Sequence, residues 1–196
     1  MLAVDYRGFG DSSDKRVTEE TVGEDARVAI SWLREKLSES EQLMVWGHSL
    51  GAAIACRAVA EENIEKVGNS NIANLILESP FNNLEDEVFD VVLASKGKIT
   101  KALGTFLRLG KQLKKAKMEF KSDAWISEIA CPALLLHAED DDTINIDLAR
   151  KLFKAAKAGG KDRIDMITVE SSYGLGHNDI FRYHRLPDVL RKYCQM

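Results

Sequence analysis

A serine stands at the centre of Gly47-His48-Ser49-Leu50-Gly51, directly after the apolar run Leu43-Met44-Val45-Trp46 and before Ala52-Ala53-Ile54-Ala55. That context turns a strand sharply into a helix and holds the hydroxyl at the tip of the turn, where it can attack a carbonyl carbon. Both glycines are expected to be needed, because a strained turn leaves no room for side chains two residues before and two after the serine. Ala52, Ala53 and Ala55 are small enough for the following helix to pack closely behind the turn. Taken alone, the pentapeptide also fits a glycine-bounded turn carrying an ordinary exposed serine; the flanking strand and helix favour a nucleophile.

A serine hydroxyl is a poor nucleophile near neutral pH. It needs an imidazole to take its proton and a carboxylate to fix the tautomer and orientation of that imidazole. The chain has four histidines. His48 lies inside the turn with its side chain expected to point elsewhere, and His137 ends a strand; both are read as packing or hydrogen-bonding residues. His177, in Tyr173-Gly174-Leu175-Gly176-His177-Asn178-Asp179, follows the last strand on a glycine-rich loop, where a general base has to be presented. It is preferred to His184, which falls in a predicted final helix. The acid has to come from the loop after the strand Ala133 to Leu136, and Glu139-Asp140-Asp141-Asp142 offers four carboxylates. Spacing does not choose among them. As a cation site the same cluster lacks the ligand spacing of calcium or zinc motifs, so no metal is expected.

These side chains have to be positioned by a sheet. Apolar runs of strand length occur at Leu43 to Trp46, Ile72 to Leu77, Ala133 to Leu136 and Ile164 to Val169, with helical patterns between most of them. Helices are predicted near Leu50 to Glu62, Ile146 to Ala158 and Asp179 to Tyr193. An earlier helix carries Val22, Val28, Ala29, Trp32, Leu33 and Leu37 mostly on one side, with Thr18 or Thr21 as its cap. Alternation of this kind predicts an α/β fold, a mostly parallel sheet with helices on both faces and functional loops at the carboxyl ends of the strands. Leu2-Ala3-Val4-Asp5 reads as a further, buried strand. The alternation breaks at about 81–128, where helical but no strand signal occurs. This stretch is predicted to be a helical cap inserted into a single domain spanning 1–196.

Composition bounds the class of partner. With 196 residues, 45% hydrophobic and 30% charged, the chain suffices for one domain with a core, and its net charge of −4 argues against general nucleic-acid binding. No apolar run reaches the roughly 20 residues of a membrane-spanning helix, and Asp5 and Arg7 break any signal-peptide pattern at the start. Cys56, Cys131 and Cys194 are too few and too dispersed for a disulfide framework or a thiolate metal site. Gly8-Phe9-Gly10 begins like a dinucleotide fingerprint, yet Ser13 stands where its third glycine belongs, so no cofactor is expected. Charge is unevenly spread: residues 96–121 hold nine Lys or Arg against the single acid Glu119, a net +8 that leaves −12 on the rest. Together with Ile99, Leu103, Phe106, Leu107 and Leu113 at helical spacing, this makes a basic amphipathic helix. Such a helix suits peripheral contact with an anionic membrane or, alternatively, covers the pocket with its apolar stripe and solvates its lysines.

Four blocks taken in order carry a resemblance: Val4-Asp5-Tyr6-Arg7-Gly8-Phe9-Gly10-Asp11-Ser12, Trp46-Gly47-His48-Ser49-Leu50-Gly51, Leu75-Ile76-Leu77-Glu78-Ser79-Pro80-Phe81 and Leu136-His137-Ala138-Glu139-Asp140-Asp141. Together they resemble the α/β-hydrolase-domain lipases that cleave monoacylglycerols and lysophosphatidylserine, over nearly all of the chain except the middle of the insertion. The resemblance implies an α/β-hydrolase fold and puts the triad on Ser49, Asp141 and His177. The chain departs from the family pattern just after the acid, with Asp142 and Asn145 where prolines are usual. On the same mapping the strands that precede Asp5, and the loop that supplies one of two oxyanion donors, are absent; the expectation is an N-terminally truncated domain in which the Leu50 N–H is the donor that can be named. The implied substrate is a lysophospholipid or monoacylglycerol ester, with endoplasmic reticulum membrane association. The alternatives are an acyl-protein thioesterase and a catalytically inactive form acting only in binding or regulation.

Overall fold

The computed structural model describes residues 1–38, 41–65, 72–94 and 99–194, and leaves out the side chains of 65, 92–94, 99–107 and 194. Four strands, β1 (Leu43–His48), β2 (Ile72–Glu78), β3 (Ala133–Ala138) and β4 (Ile164–Val169), form one sheet in the order β1-β2-β3-β4, every pair parallel. The helices are α1 (Glu19–Arg34), α2 (Leu50–Glu65), α3 (Leu84–Ala94), α4 (Ile99–Ala116), α5 (Ser122–Trp125), α6 (Ile146–Ala158) and α7 (Leu186–Cys194).

The two-residue period of a strand explains how the sheet is covered. Leu75, Leu77, Ala133 and Leu135 point to one face, where they pack with Ala55, Val59, Leu152 and Ala156 of α2 and α6. Ile76, Leu134 and Leu136 point to the other and meet Leu186 and Tyr193 of α7. A strand buried on both faces reads as a continuous apolar run, and this is why β2 and β3 are plain in the sequence. All four carboxyl ends lie along one edge, since His48 pairs with Glu78 and Ala138 with Val169 in register.

Beneath the sheet's amino-terminal end, Lys161 is buried and donates from Nζ to the Ile129 carbonyl at 2.6 Å and the Cys131 carbonyl at 2.7 Å. Burial pushes the neighbouring Cys131 thiol up to about 11 and raises Cys56 further, so both stay protonated thiols at neutral pH.

Several expectations need correction. Leu2 to Asp5 form no strand; Leu2 and Val4 are 44% and 39% exposed, because β1 pairs only with β2 among the described residues and no ladder reaches the first residues. On α1, Val22 and Ile30 are buried, but Val28 and Trp32 stand out at 63% and 51% exposure. The helix packs on α2 along a narrower stripe than its apolar arc, leaving Val28, Ala29 and Trp32 to line an open groove with Leu2 and Val4. Its cap uses both candidate threonines: the Thr21 N–H donates to Thr18 Oγ1 at 3.2 Å and the Thr18 N–H to Thr21 Oγ1 at 2.9 Å. The predicted final helix is broken into a 3₁₀ turn at Ile180–Arg182 and α7. Pro187 lacks the N–H that a continuous helix from residue 179 would need and is tolerated only in a first turn.

The stretch at 81–128 folds as α3, α4, α5 and a 3₁₀ turn at Ile126–Glu128. Its end is fastened to α1 by Glu19, whose Oε2 accepts the N–H groups of Glu119 and Phe120 at 2.8 and 2.7 Å. Lys96 and Lys98 lie outside the described residues, as do the side chains of Ile99, Lys101, Leu103, Phe106 and Leu107. Arg108, Lys111, Lys114, Lys115 and Lys117 are exposed, with Lys114 paired to Glu85 at 3.5 Å. Among the described residues no helix is long and apolar enough to cross a membrane.

Candidate active site

Ser49 sits between β1 and α2 with φ at 54°, a left-handed backbone that costs a non-glycine residue roughly 1–3 kcal/mol. The strain is held from the neighbouring strand, where the Glu78 carbonyl accepts the Ser49 N–H at 2.9 Å, and from the helix, whose Ala52 N–H closes onto the Ser49 carbonyl at 2.9 Å. Gly47 permits this crossing: a Cβ there would fall 2.2 Å from the Gly51 carbonyl oxygen and 2.6 Å from the Ala52 Cα. Gly51 differs from expectation, since a Cβ on it meets nothing within 4 Å. It lies in the first turn of α2 and points into open space, so only the first glycine of the pentapeptide is required sterically. Leu50 opens α2, and a first-turn N–H has no acceptor within its own helix. It is therefore free to receive an oxyanion.

His177 is carried on the loop after β4 and is 8% exposed. Its Nδ1 lies 2.8 Å from Asp141 Oδ2, whose side chain is fully buried. An ionised carboxylate only accepts, so Nδ1 bears the proton and Nε2 presents its lone pair. Burial alone pushes the Asp141 carboxyl up; hydrogen bonds from His137, the Ile144 N–H, His177 and the Thr143 N–H outweigh it and hold the group well below the usual carboxylate range. The backbone donors reach Oδ1 at 2.8 and 2.9 Å, and Asn145 caps α6 by accepting the Asp147 N–H at 2.9 Å.

The four acids divide by geometry. Glu139 Oε2 accepts the Ser171 N–H at 3.3 Å, Asp140 Oδ2 the Gly176 N–H at 3.1 Å, and Asp141 the imidazole, so three consecutive carboxylates grip one loop. Asp142 is exposed and reaches only Thr143. Among the described residues no cluster of three or more potential metal ligands occurs.

The other histidines behave in three ways. His137 is fully buried, with Nε2 at 3.0 Å from the Ile144 carbonyl and 3.3 Å from Asp141 Oδ2, a hydrogen-bonding role as expected. His184 lies in the turn before α7, not in a helix, and packs against Tyr173 and Tyr183. His48 corrects the sequence reading most: its ring turns toward the site, 4.8 Å from the His177 ring, with Nε2 3.0 Å from the His177 carbonyl. Ser79, buried at φ 46° after β2, aims Oγ at the same carbonyl at 3.3 Å. No periodicity could have marked these two residues, because both contacts cross about a hundred residues of chain. His177 therefore stands at the serine's turn, although no hydrogen bond joins the Ser49 hydroxyl to its ring among the described residues. Such bonds are commonly long without substrate and tighten when it binds.

A buried, acid-oriented imidazole beside a strained serine and a free helix-start N–H is equipped for acyl transfer. Comparison with known proteins agrees with this architecture. The chain is 30% identical over 198 residues to the lysophosphatidylserine lipase ABHD12 of Danio rerio, covering 100% of this chain and 50% of that protein. It is 34% identical over 181 residues to the Homo sapiens protein ABHD12B, covering 91% and 47%. The chain thus spans about half the length of the curated relatives it matches. Among solved structures the Pyrococcus furiosus esterase Pf2001 superposes with a TM-score of 0.68 at 16% identity, over 97% of this chain and 67% of the esterase, a likeness of fold. The fold is that of the α/β-hydrolases. Residues 1–122, more than half of the chain, match the family described as serine aminopeptidase, S33, and the chain belongs to that family.

Proposed function

We propose that this chain is a serine hydrolase acting on carboxylic esters of lipids, with Ser49 as nucleophile, His177 as general base and acid, and Asp141 as the residue that orients His177. The observation that supports the proposal is the 2.8 Å pair of His177 and the buried Asp141 side chain, with the His177 carbonyl 3.0 Å from Nε2 of His48, the residue before the strained Ser49. Ser49 Oγ bonds to the acyl carbon while its proton passes to His177 Nε2, and the Leu50 N–H receives the oxyanion. Collapse breaks the ester C–O bond and the departing alcohol takes the proton from Nε2. Water then repeats the sequence and releases the fatty acid.

The named activity of the zebrafish relative favours a lysophospholipid, with a monoacylglycerol as the neutral counterpart. Exposed Lys111, Lys114 and Lys115 along α4 supply a basic face that suits an anionic head group or membrane surface. Reversing Lys114 and Lys115 to Glu is expected to weaken sedimentation with phosphatidylserine vesicles; unchanged sedimentation removes the membrane part of the proposal.

A fluorophosphonate probe tests the chemistry. Labelling that disappears in Ser49→Ala supports it, and a folded protein that takes no label supports the binding-only alternative. A panel of lysophosphatidylserine, monoacylglycerol, an acyl-cysteine peptide and an aminoacyl amide then separates lipid ester hydrolysis from thioester and peptide cleavage.

A further inference from the structure

We propose that His48 is a positioning residue for this catalytic site, holding the base loop in register with the nucleophile by donating its Nε2–H to the backbone carbonyl of His177. The inference rests on the Ser49, His177 and Asp141 assignment above and goes beyond it, because His48 takes no part in proton transfer.

The direction of the bond is fixed by chemistry. A carbonyl only accepts, so at 3.0 Å His48 Nε2 must carry a proton. The Ser79 hydroxyl donates to the second lone pair of the same oxygen at 3.3 Å. His177 is consequently gripped at three points from three elements: its carbonyl by the end of β1 and the end of β2, and its ring by the loop after β3.

Of these, only the His48 bond ties the base directly to the residue next to the nucleophile. The loop itself is not rigid by sequence, since Gly174 and Gly176 both adopt left-handed backbone, with φ of 62° and 51°. Asp141 and Asp140 fix the loop to the far side of the site and leave its distance from Ser49 unset. With no direct Ser49 to His177 hydrogen bond among the described residues, the separation of base and nucleophile is set by His48, on the nucleophile's own strand, together with Ser79 on the neighbouring one. A misplacement of about 1 Å in such a pair costs on the order of 10²-fold in rate.

Two substitutions separate the hydrogen bond from the ring contact. His48→Phe keeps an aromatic ring beside His177 and removes the donor; His48→Gln removes the ring and keeps an N–H at the same reach. We expect His48→Phe to lower kcat on a soluble p-nitrophenyl ester, and the rate of fluorophosphonate labelling with it, by about 10- to 100-fold with KM changed less than about twofold. His48→Gln should recover most of that loss. Wild-type kinetics in a folded His48→Phe overturn the proposal. So does a folded His48→Gln whose kcat is lowered about tenfold or more relative to the wild type, an arm that decides even if the Phe variant fails to fold. A wild-type protein that neither labels nor turns over the ester instead defeats the assignment of Ser49, and the His48 proposal falls with it.

Discussion

Replacing each glycine of the serine pentapeptide by alanine should give opposite results. At Gly47 the new methyl would lie 2.2 Å from the Gly51 carbonyl oxygen, 2.6 Å from the Gly51 carbonyl carbon and 2.6 Å from the Ala52 Cα. All three are backbone atoms in the first turn of α2, so no flexible side chain can yield. An ordinary contact of about 3.5 Å requires a retreat of roughly 1.3 Å, through the very segment that holds Ser49 at its positive φ. Overpacking of this kind costs about 1–3 kcal/mol, which in a chain of this size lowers Tm by roughly 2–12 °C. The displacement of Ser49 adds on the order of 10²-fold in rate. At Gly51 the methyl enters open space on a helical residue, so stability should hold or rise by up to about 1 kcal/mol and labelling should continue. The assay is the second-order rate of fluorophosphonate labelling beside a thermal melt for each variant. A Gly47→Ala protein that melts and labels like the wild type, or a Gly51→Ala protein as damaged as Gly47→Ala, refutes the steric argument.

Two further predictions address the charged groups. Asp141→Asn should cut turnover by about 10⁴-fold, because an amide no longer fixes the productive imidazole tautomer. The same substitution has a signature in acid. The folded state holds the Asp141 carboxyl below its ordinary value of 3.8, so its contribution to stability is present above that value and is lost as pH falls through the folded one. Wild-type Tm should therefore drop more steeply below about pH 4 than that of Asp141→Asn, and equal acid slopes would remove the linkage. Lys161→Met should leave the Ile129 and Cys131 carbonyls buried without a donor and cost about 1–3 kcal/mol in urea denaturation; a variant as stable as the wild type refutes that role.

Much of this was legible before any coordinates. The runs at Leu43, Ile72, Ala133 and Ile164 each became a strand of the parallel sheet, plainest in the central β2 and β3, which are buried on both faces and so must be apolar nearly throughout. Thr18 and Thr21 marked the start of α1, and glycines around Ser49 marked the turn. Failures arose where burial depended on a neighbour. Leu2 to Asp5 has the composition of a strand but no ladder to join, and Val28 and Trp32 belong to an apolar arc that α2 covers only in part.

The residue types that can carry out acyl transfer, and the strand-turn-helix that presents the serine, follow from the sequence because both depend on local backbone preference and on chemistry intrinsic to each side chain. Which of four carboxylates meets the imidazole and where His48 points were decided only by the tertiary structure. Each depends on the approach of segments up to 129 residues apart, and that approach is set by the register of β1 to β4.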